Sequence, residues 1–174
     1  MMIVKRILKS WIGTFSLDDY QLIDGYLNEA GKTLFFQMGK IDQFHSLAVA
    51  QTIIADSKRE AQPSSHVIQA ALLHDVGKMA DDFNLLTRIL VALIRRLVPI
   101  YRGKLAMAQL DRRFWGRVRY GCYIDLIHPV RGAHLTLRAG FDPAVAELIR
   151  RHHDPPRLNQ NPDLTKLQTA DDQN

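Results

Sequence analysis

Apolar residues recur every three or four positions along most of this sequence, and no segment clearly alternates apolar and polar residues as a half-buried strand does. This interval favours helices, because side chains three and four positions apart share one helix face. Helix boundary signals accompany it, such as Asp142-Pro143 before one apolar stretch and Pro155-Pro156 after it. The sequence therefore predicts an all-α fold, a bundle of about seven helices.

Start and stop signals divide the chain into helical segments. The predicted helices cover about 17–31, 41–58, 64–77, 82–98, 103–126, 142–153 and 163 onward. Gly31 and Gly77 are predicted to end the first and third helices, because glycine is common just beyond a helix. We predict a single domain over 1–174, with an N-terminal helical extension at 1–40, a core at 41–172 and a basic helical insertion at about 79–122.

Charge is unevenly spread along the chain, whose formal net charge is +5. Between Lys78 and Arg119 there are ten Lys or Arg residues against three acids, Asp81, Asp82 and Asp111, so this segment carries about +7 and the remainder about −2. Such an excess favours an anionic partner, which could be a phosphorylated substrate, nucleic acid or a membrane surface. A solvated basic surface without a partner explains the same charges equally well.

Composition narrows the class of protein. A single cysteine, Cys122, excludes an internal disulfide and a Cys-based zinc site, and it suits a reducing cytoplasm. The basic, apolar N-terminal residues have neither the long apolar core nor the cleavage site of a signal peptide. The apolar residues 85–100 are interrupted by arginines, and no stretch reaches the about 20 apolar residues of a membrane-spanning helix. We therefore expect a soluble, cytoplasmic protein.

Histidine and aspartate side chains fall on or beside the apolar faces of four predicted helices. At 100° per residue these are His45, His74, His152 with its neighbour His153, and Asp171. Each such group buried without a partner would cost roughly several kcal/mol. A shared metal ion removes that cost, because it binds neutral imidazoles and ionised carboxylates close together. One inward histidine is more often a hydrogen-bonded core residue, but adjacent ligand pairs at two helix ends favour a metal site.

Four motifs follow a histidine on an early helix in a fixed order: AALLHDVGK, HPVRGA, IRRHHD and a late Ala-Asp pair. In this order and spacing, residues 40–172 resemble the HD superfamily of metal-dependent phosphohydrolases. The similarity is greatest to the two-metal branch that contains the HD-GYP phosphodiesterases and related cyclic-dinucleotide hydrolases. The chain departs from HD-GYP proteins after the histidine pair, where it reads DPPRLNQNPD instead of the GYP signature. Cyclic-di-GMP specificity is therefore not implied.

The resemblance implies a set of metal ligands and a reaction. His45, His74, Asp75 and Asp171 match the one-metal site, and His128, His152 and His153 match the extra ligands of the two-metal branch, with Asp75 bridging the ions. It implies iron or manganese, although histidine and carboxylate ligands do not select between divalent ions. The implied activity is hydrolysis of a phosphoric ester, in a nucleotide or similar small phosphorylated substrate, by a metal-activated bridging hydroxide.

Two cations are candidates for contacts with the substrate. Lys78 lies one turn beyond the HD pair, so we predict that Asp75 and Lys78 are catalytic and that Lys78 and Arg131 bind substrate phosphate. Lys78 also fits as a simple cation at a helix C-terminus. Two other functions stay open. One is a degenerate or regulatory HD module that binds a nucleotide or partner without turnover. The other is RNA binding or cleavage through the arginines and aromatics of 112–117.

Overall fold

The computed structural model describes residues 13–57, 62–80, 84–109, 111, 113–155 and 161–174. Over these residues the chain is all-α, as predicted, and its only β-type pairing is an isolated bridge between Met38 and Met79. Nine helices are described: α1 (Leu17–Tyr26), α2 (Glu29–Gln37), α3 (Lys40–Ser57), α4 (Ser65–Leu73), α5 (Leu85–Leu97), α6 (Pro99–Leu105), α7 (Phe114–Arg138), α8 (Pro143–Arg151) and α9 (Pro162–Gln173). None of them is both long enough and apolar enough to cross a membrane.

The first predicted helix is two helices in the structure. Ser16 caps α1 as expected, but the chain leaves that helix at Leu27 and begins a new one after Asn28. The Asn28 side chain accepts a hydrogen bond from the Gly31 N–H at 2.7 Å, so Gly31 lies in the first turn of α2. The prediction that Gly31 ends a helix was wrong. A Cβ at Gly31 would lie 2.5 Å from the Phe141 ring, so the glycine permits close packing instead.

The predicted helix at 103–126 also differs from the structure. Helix α5 ends at Leu97, and Pro99 begins α6, because proline is favoured at the first position of a helix. The next helix, α7, begins at Phe114 and continues through Pro129 to Arg138. Three predictions concern residues outside the described part of the chain. They are the helix end at Lys58, the helix start at residue 82 and the nucleic-acid contact of Arg112.

Helix α4 lies at the centre of the packing. It contacts α1, α2, α3, α8 and α9, and its residues Val67, Ile68 and 70–73 are fully buried. Helix α7 packs on α8, and α5 and α6 pack on α7. The C-terminal end of α4 therefore lies close to the helices that carry the other predicted ligands.

Candidate metal centre

All seven predicted metal ligands meet in one place. The elements that supply them are α3 for His45, the turn after α4 for His74 and Asp75, α7 for His128, the end of α8 for His152 and His153, and α9 for Asp171. Their ligand atoms form three groups, each within 4.8 Å: His45, His74 and Asp171; His74, Asp75 and His152; His128, His152 and His153. Because the groups share His74 and His152, they form one continuous set, called the ligand cluster below.

Three histidines of the ligand cluster are oriented by the backbone carbonyl three residues before each of them. Nδ1 of His74 lies 2.9 Å from the Ala71 oxygen, Nδ1 of His128 lies 2.8 Å from the Asp125 oxygen, and Nδ1 of His152 lies 2.6 Å from the Ile149 oxygen. A carbonyl only accepts, so Nδ1 is the donor and Nε2 carries the lone pair. This is the tautomer in which Nε2 can bind a metal ion.

These carbonyl groups are free to accept for two different reasons. Ala71 and Ile149 lie in the last turns of α4 and α8, where the helical N–H donors end. Asp125 lies inside α7, but Pro129 has no N–H and leaves the Asp125 carbonyl without its helical donor. Pro129 thus provides an acceptor for His128 within a continuous helix.

The Nε2 atoms of His128 and His152 are 3.3 Å apart. Since both rings donate through Nδ1, two lone pairs face each other at this distance, which is unfavourable unless a cation lies between them. Two imidazole nitrogens bound at about 2.1 Å to one ion are about 3.0–3.4 Å apart in octahedral or tetrahedral geometry. The observed separation fits two ligands of one ion.

The two carboxylates lie among the imidazoles. Asp171 Oδ1 is 2.7 Å from His45 Nε2 and 3.7 Å from His74 Nε2. Asp75 Oδ1 is 3.8 Å from His74 Nε2 and 3.4 Å from His128 Nε2, so Asp75 stands between the two outer groups. Nε2 of His74 is buried and accepts no hydrogen bond from the described residues. A buried acceptor between two carboxylates fits coordination to a cation.

Burial favours the neutral imidazole of His45, His128 and His152. The pKa values of His45, His128 and His152 are lowered chiefly because burial disfavours the charged form. The Lys78 ammonium lowers the pKa of His128 further, and the neighbouring imidazoles do the same for His152. Neutral imidazole is the form that binds metal.

The carboxylates stay ionised although they are buried. Burial alone would raise the pKa of Asp75, but the Lys78 ammonium, 2.7 Å from Asp75 Oδ1, holds it well below its usual range. Burial likewise opposes ionisation of Asp171, and the hydrogen bond from His45 lowers its pKa well below the usual range. The ligand cluster therefore combines neutral imidazoles with carboxylates in the protonation states that a divalent cation needs.

The two predicted substrate-binding cations occupy different places. Lys78 Nζ lies 2.7 Å from Asp75 Oδ1, so Lys78 contacts the ligand cluster directly. Arg131 lines a groove on α7 with Ile127, Val130 and His134, and no residue of the ligand cluster lines that groove. The role of Arg131 in substrate binding stays a prediction.

Gly77 and Gly132 bring α7 against the turn after α4, a packing role that the sequence analysis gave to neither of them. A Cβ at Gly77 would overlap the His128 carbonyl, and a Cβ at Gly132 would lie 3.4 Å from the Gly77 nitrogen. Because neither glycine has a side chain, α7 can lie close enough to the turn after α4 to place Asp75 beside His128. The signal was present, since each motif has a glycine at a short distance from its ligand, three residues after His74 and four after His128.

Two buried carboxylates outside the ligand cluster hold the basic helices. Arg88 Nη1 lies 2.5 Å from Asp42 Oδ1, which joins α5 to α3. Asp125 on α7 accepts from Arg102 at 2.7 Å and from Arg95 at 3.4 Å. Part of the basic charge between Lys78 and Arg119 is therefore structural, which the count of charges alone did not indicate.

Comparisons with protein-family models, with curated proteins and with solved structures found no match to this chain. The family expected from the motifs thus stays a prediction. Independently of any relative, the described residues include buried histidine and aspartate groups that could hold a metal ion. Ligands of these types do not fix which ion that is.

Proposed function

We propose that this protein is a metal-dependent phosphohydrolase that cleaves a phosphoric ester in a nucleotide or another small phosphorylated molecule. The observation that carries the proposal is the ligand cluster, in which two outer three-ligand groups flank Asp75. We further propose two ions, iron or manganese, as the resemblance to the HD superfamily implies. Bound there, divalent cations would supply a hydroxide nucleophile at neutral pH and polarise the phosphoryl oxygens.

The chain prepares this chemistry through the orientation of its ligands. Three Nδ1–carbonyl hydrogen bonds fix the histidine rings, so their Nε2 atoms are placed in advance. Asp75 Oδ1 lies within 3.8 Å of a histidine nitrogen from each outer group, so its carboxylate can contact an ion in either one. Preorganised ligands of this kind hold a cation without further rearrangement of the backbone.

The Lys78 ammonium lies at the ligand cluster, 2.7 Å from Asp75 Oδ1. His153 is the most exposed member of the cluster. Partial burial and the positive charge of Lys78 lower the pKa of His153 to about 4, although the Asp75 and Asp171 carboxylates act in the opposite direction. With Asp75 engaged as a ligand, Lys78 can turn its ammonium toward a phosphoryl oxygen and offset the charge that develops there. These charges favour an anionic substrate.

The experiment combines metal analysis with a substrate screen. The purified full chain, produced with iron and manganese supplementation, is expected to hold close to two ions and to hydrolyse phosphomonoesters or phosphodiesters. The double variant His74→Ala/Asp75→Ala is expected to lose both metal and turnover. His134→Ala changes an exposed histidine of α7 outside the ligand cluster and should retain both properties.

The outcomes separate the proposal from its alternative. A wild-type chain that stays free of metal after supplementation rejects the metal centre and the activity together. Two bound ions without turnover of any phosphoric ester would instead favour a regulatory module that binds a nucleotide or partner. Turnover that persists in the double variant would show that the reaction does not depend on this cluster.

A further inference from the structure

Helices α5 and α6 turn large apolar side chains away from the protein. On α5, Leu86, Leu93 and Leu97 are 59%, 43% and 70% exposed, and their spacing of seven and four residues puts them on one helix face. On α6, Ile100 and Tyr101 are 77% and 57% exposed. These five residues are called the α5–α6 apolar surface below.

Polar residues of the same helices turn inward. Thr87 of α5 is buried, Arg88 binds the buried Asp42, and Arg102 of α6 binds the buried Asp125. A surface helix of a soluble domain normally buries its apolar stripe and exposes its charges. Here Arg88 and Arg102 point toward the protein because they bind buried carboxylates, so the leucines of α5 lie on the outer face. Packing within the described part of the chain therefore does not explain this surface.

The exposed apolar side chains are concentrated in this region. Of the fifteen large hydrophobic residues that are exposed among the described residues, nine lie between positions 86 and 115. Single exposed hydrophobic residues need no explanation, but such a concentration marks a binding surface. The partner must accept apolar side chains.

The charges beside this surface have one sign. Residues 84–109 include five Lys or Arg and no Asp or Glu. Arg88, Arg95 and Arg102 bind the buried Asp42 and Asp125, so the cations available to a partner are Arg96 and Lys104. Arg96 is exposed next to Leu97, and the Lys104 ammonium lies 5.6 Å from the Tyr101 ring centroid. Leucine, isoleucine and tyrosine side chains bordered by cations match the boundary between the acyl chains and the anionic headgroups of a lipid bilayer.

We propose that the α5–α6 apolar surface docks this protein on an anionic membrane surface. The apolar side chains enter the headgroup–acyl boundary, and Arg96 and Lys104 meet lipid phosphates. A second copy fits less well, because a symmetric contact would bring Arg96 and Lys104 of both copies together, and 84–109 contains no acid to offset them. Nucleic acid fits less well because leucines would occupy positions where phosphate contacts need cations. The proposal does not depend on the metal centre.

The test is co-sedimentation of the full chain with lipid vesicles. We expect binding to equimolar phosphatidylcholine–phosphatidylglycerol vesicles that weakens at high salt, and at least about tenfold weaker binding to pure phosphatidylcholine. Leu93→Gln/Leu97→Gln should lower the partition coefficient about tenfold. Arg96→Gln/Lys104→Gln should remove the preference for anionic vesicles. Leu17→Gln alters a 73% exposed leucine of α1 and should bind as the wild type does.

Far-ultraviolet circular dichroism on each variant shows whether the fold is retained, and Ile100→Gln gives an independent test on α6. Absence of vesicle binding by the wild type overturns the proposal. Unchanged binding by the folded leucine and Ile100 variants overturns it as well, because the lipid contact would then lie elsewhere. A wild-type dimer in light scattering that the leucine variant converts to a monomer would assign this surface to a second copy.

Discussion

Pro129 weakens the backbone of α7 but allows a hydrogen bond that orients the His128 ring. Proline inside a helix costs about 3 kcal/mol, because it removes a backbone hydrogen bond and crowds the preceding turn. Here the freed Asp125 carbonyl accepts the Nδ1–H of His128 at 2.8 Å. In Pro129→Ala we expect a higher unfolding temperature together with weaker metal binding, because the alanine N–H competes for that carbonyl. Thermal unfolding and metal titration check this, and a variant with unchanged metal affinity would contradict it.

Substitution of His128 should affect only one of the two proposed ions. His128 belongs to the outer group with His152 and His153, whereas His45 belongs to the other. We expect His128→Ala to keep the fold and one ion, and to lose the second ion and at least about a hundredfold of the turnover. Elemental analysis and kinetics on the same preparation measure both. His128→Gln, closer in volume, should behave alike. A metal content equal to that of the wild type in either variant would show that His128 does not hold a second ion.

The seven residues of the ligand cluster could be selected from the sequence, but the orientation of their side chains could not. Helical spacing put His45 and Asp171 on apolar faces, which the structure agrees with. His74 was placed inside a helix predicted to reach Gly77, yet α4 ends at Leu73. That difference of a few residues decides whether the Ala71 carbonyl is free for the His74 ring, and sequence patterns locate helix ends only to within a few residues.

At the scale of elements, Gly77 sets the distance between the turn after α4 and α7. Because a Cβ there would overlap the His128 backbone, we expect Gly77→Ala to destabilise the fold by about 1–3 kcal/mol and to lower metal occupancy by moving Asp75 from His128. Gly25→Ala is the control, since a Cβ at Gly25 meets nothing within 4 Å in α1. It should be neutral or stabilising by about 0.5–1 kcal/mol. Denaturant unfolding and elemental analysis compare them, and equal stabilities would contradict the packing argument.

The sequence predicted that the elements are helices, but it predicted less well which face of each helix is buried and where each helix ends. The sequence predicted a helix at about 82–98, but it could not show which side of that helix faces the protein. That depends on Asp42 and Asp125, buried carboxylates of other helices that bind Arg88 and Arg102. The extension of α7 through Pro129 was missed for a similar reason, because a side chain replaces the backbone donor. In both cases a long-range or side-chain contact overrides the local signal.

For the whole molecule, the ligand cluster makes the metal-free fold sensitive to acid. An unfolded histidine titrates near its ordinary pKa of 6.5, whereas burial lowers the pKa values of His45, His128 and His152 in the fold. Below pH 6.5 the unfolded chain therefore binds more protons than the folded chain, and stability falls as the pH falls. Asp75 and Asp171 have lowered pKa values, so their stabilising contribution is lost only below their ordinary value of 3.8. The histidines therefore govern the decline at mildly acidic pH.

Thermal unfolding of the EDTA-treated chain from about pH 7.5 to about pH 5 tests this. Each of His45, His128 and His152 is expected to add up to about 1.4 kcal/mol per pH unit below its unfolded pKa. His152→Gln should flatten the profile by one histidine's share, whereas the exposed control His134→Gln should follow the wild type. Manganese should raise the unfolding temperature at neutral pH, because it binds only the folded cluster. That gain should shrink on acidification, since protons compete for the same Nε2 atoms. A profile that stays flat between these pH values, or a manganese effect independent of pH, would mean that the imidazoles are not held neutral by burial around a shared cation.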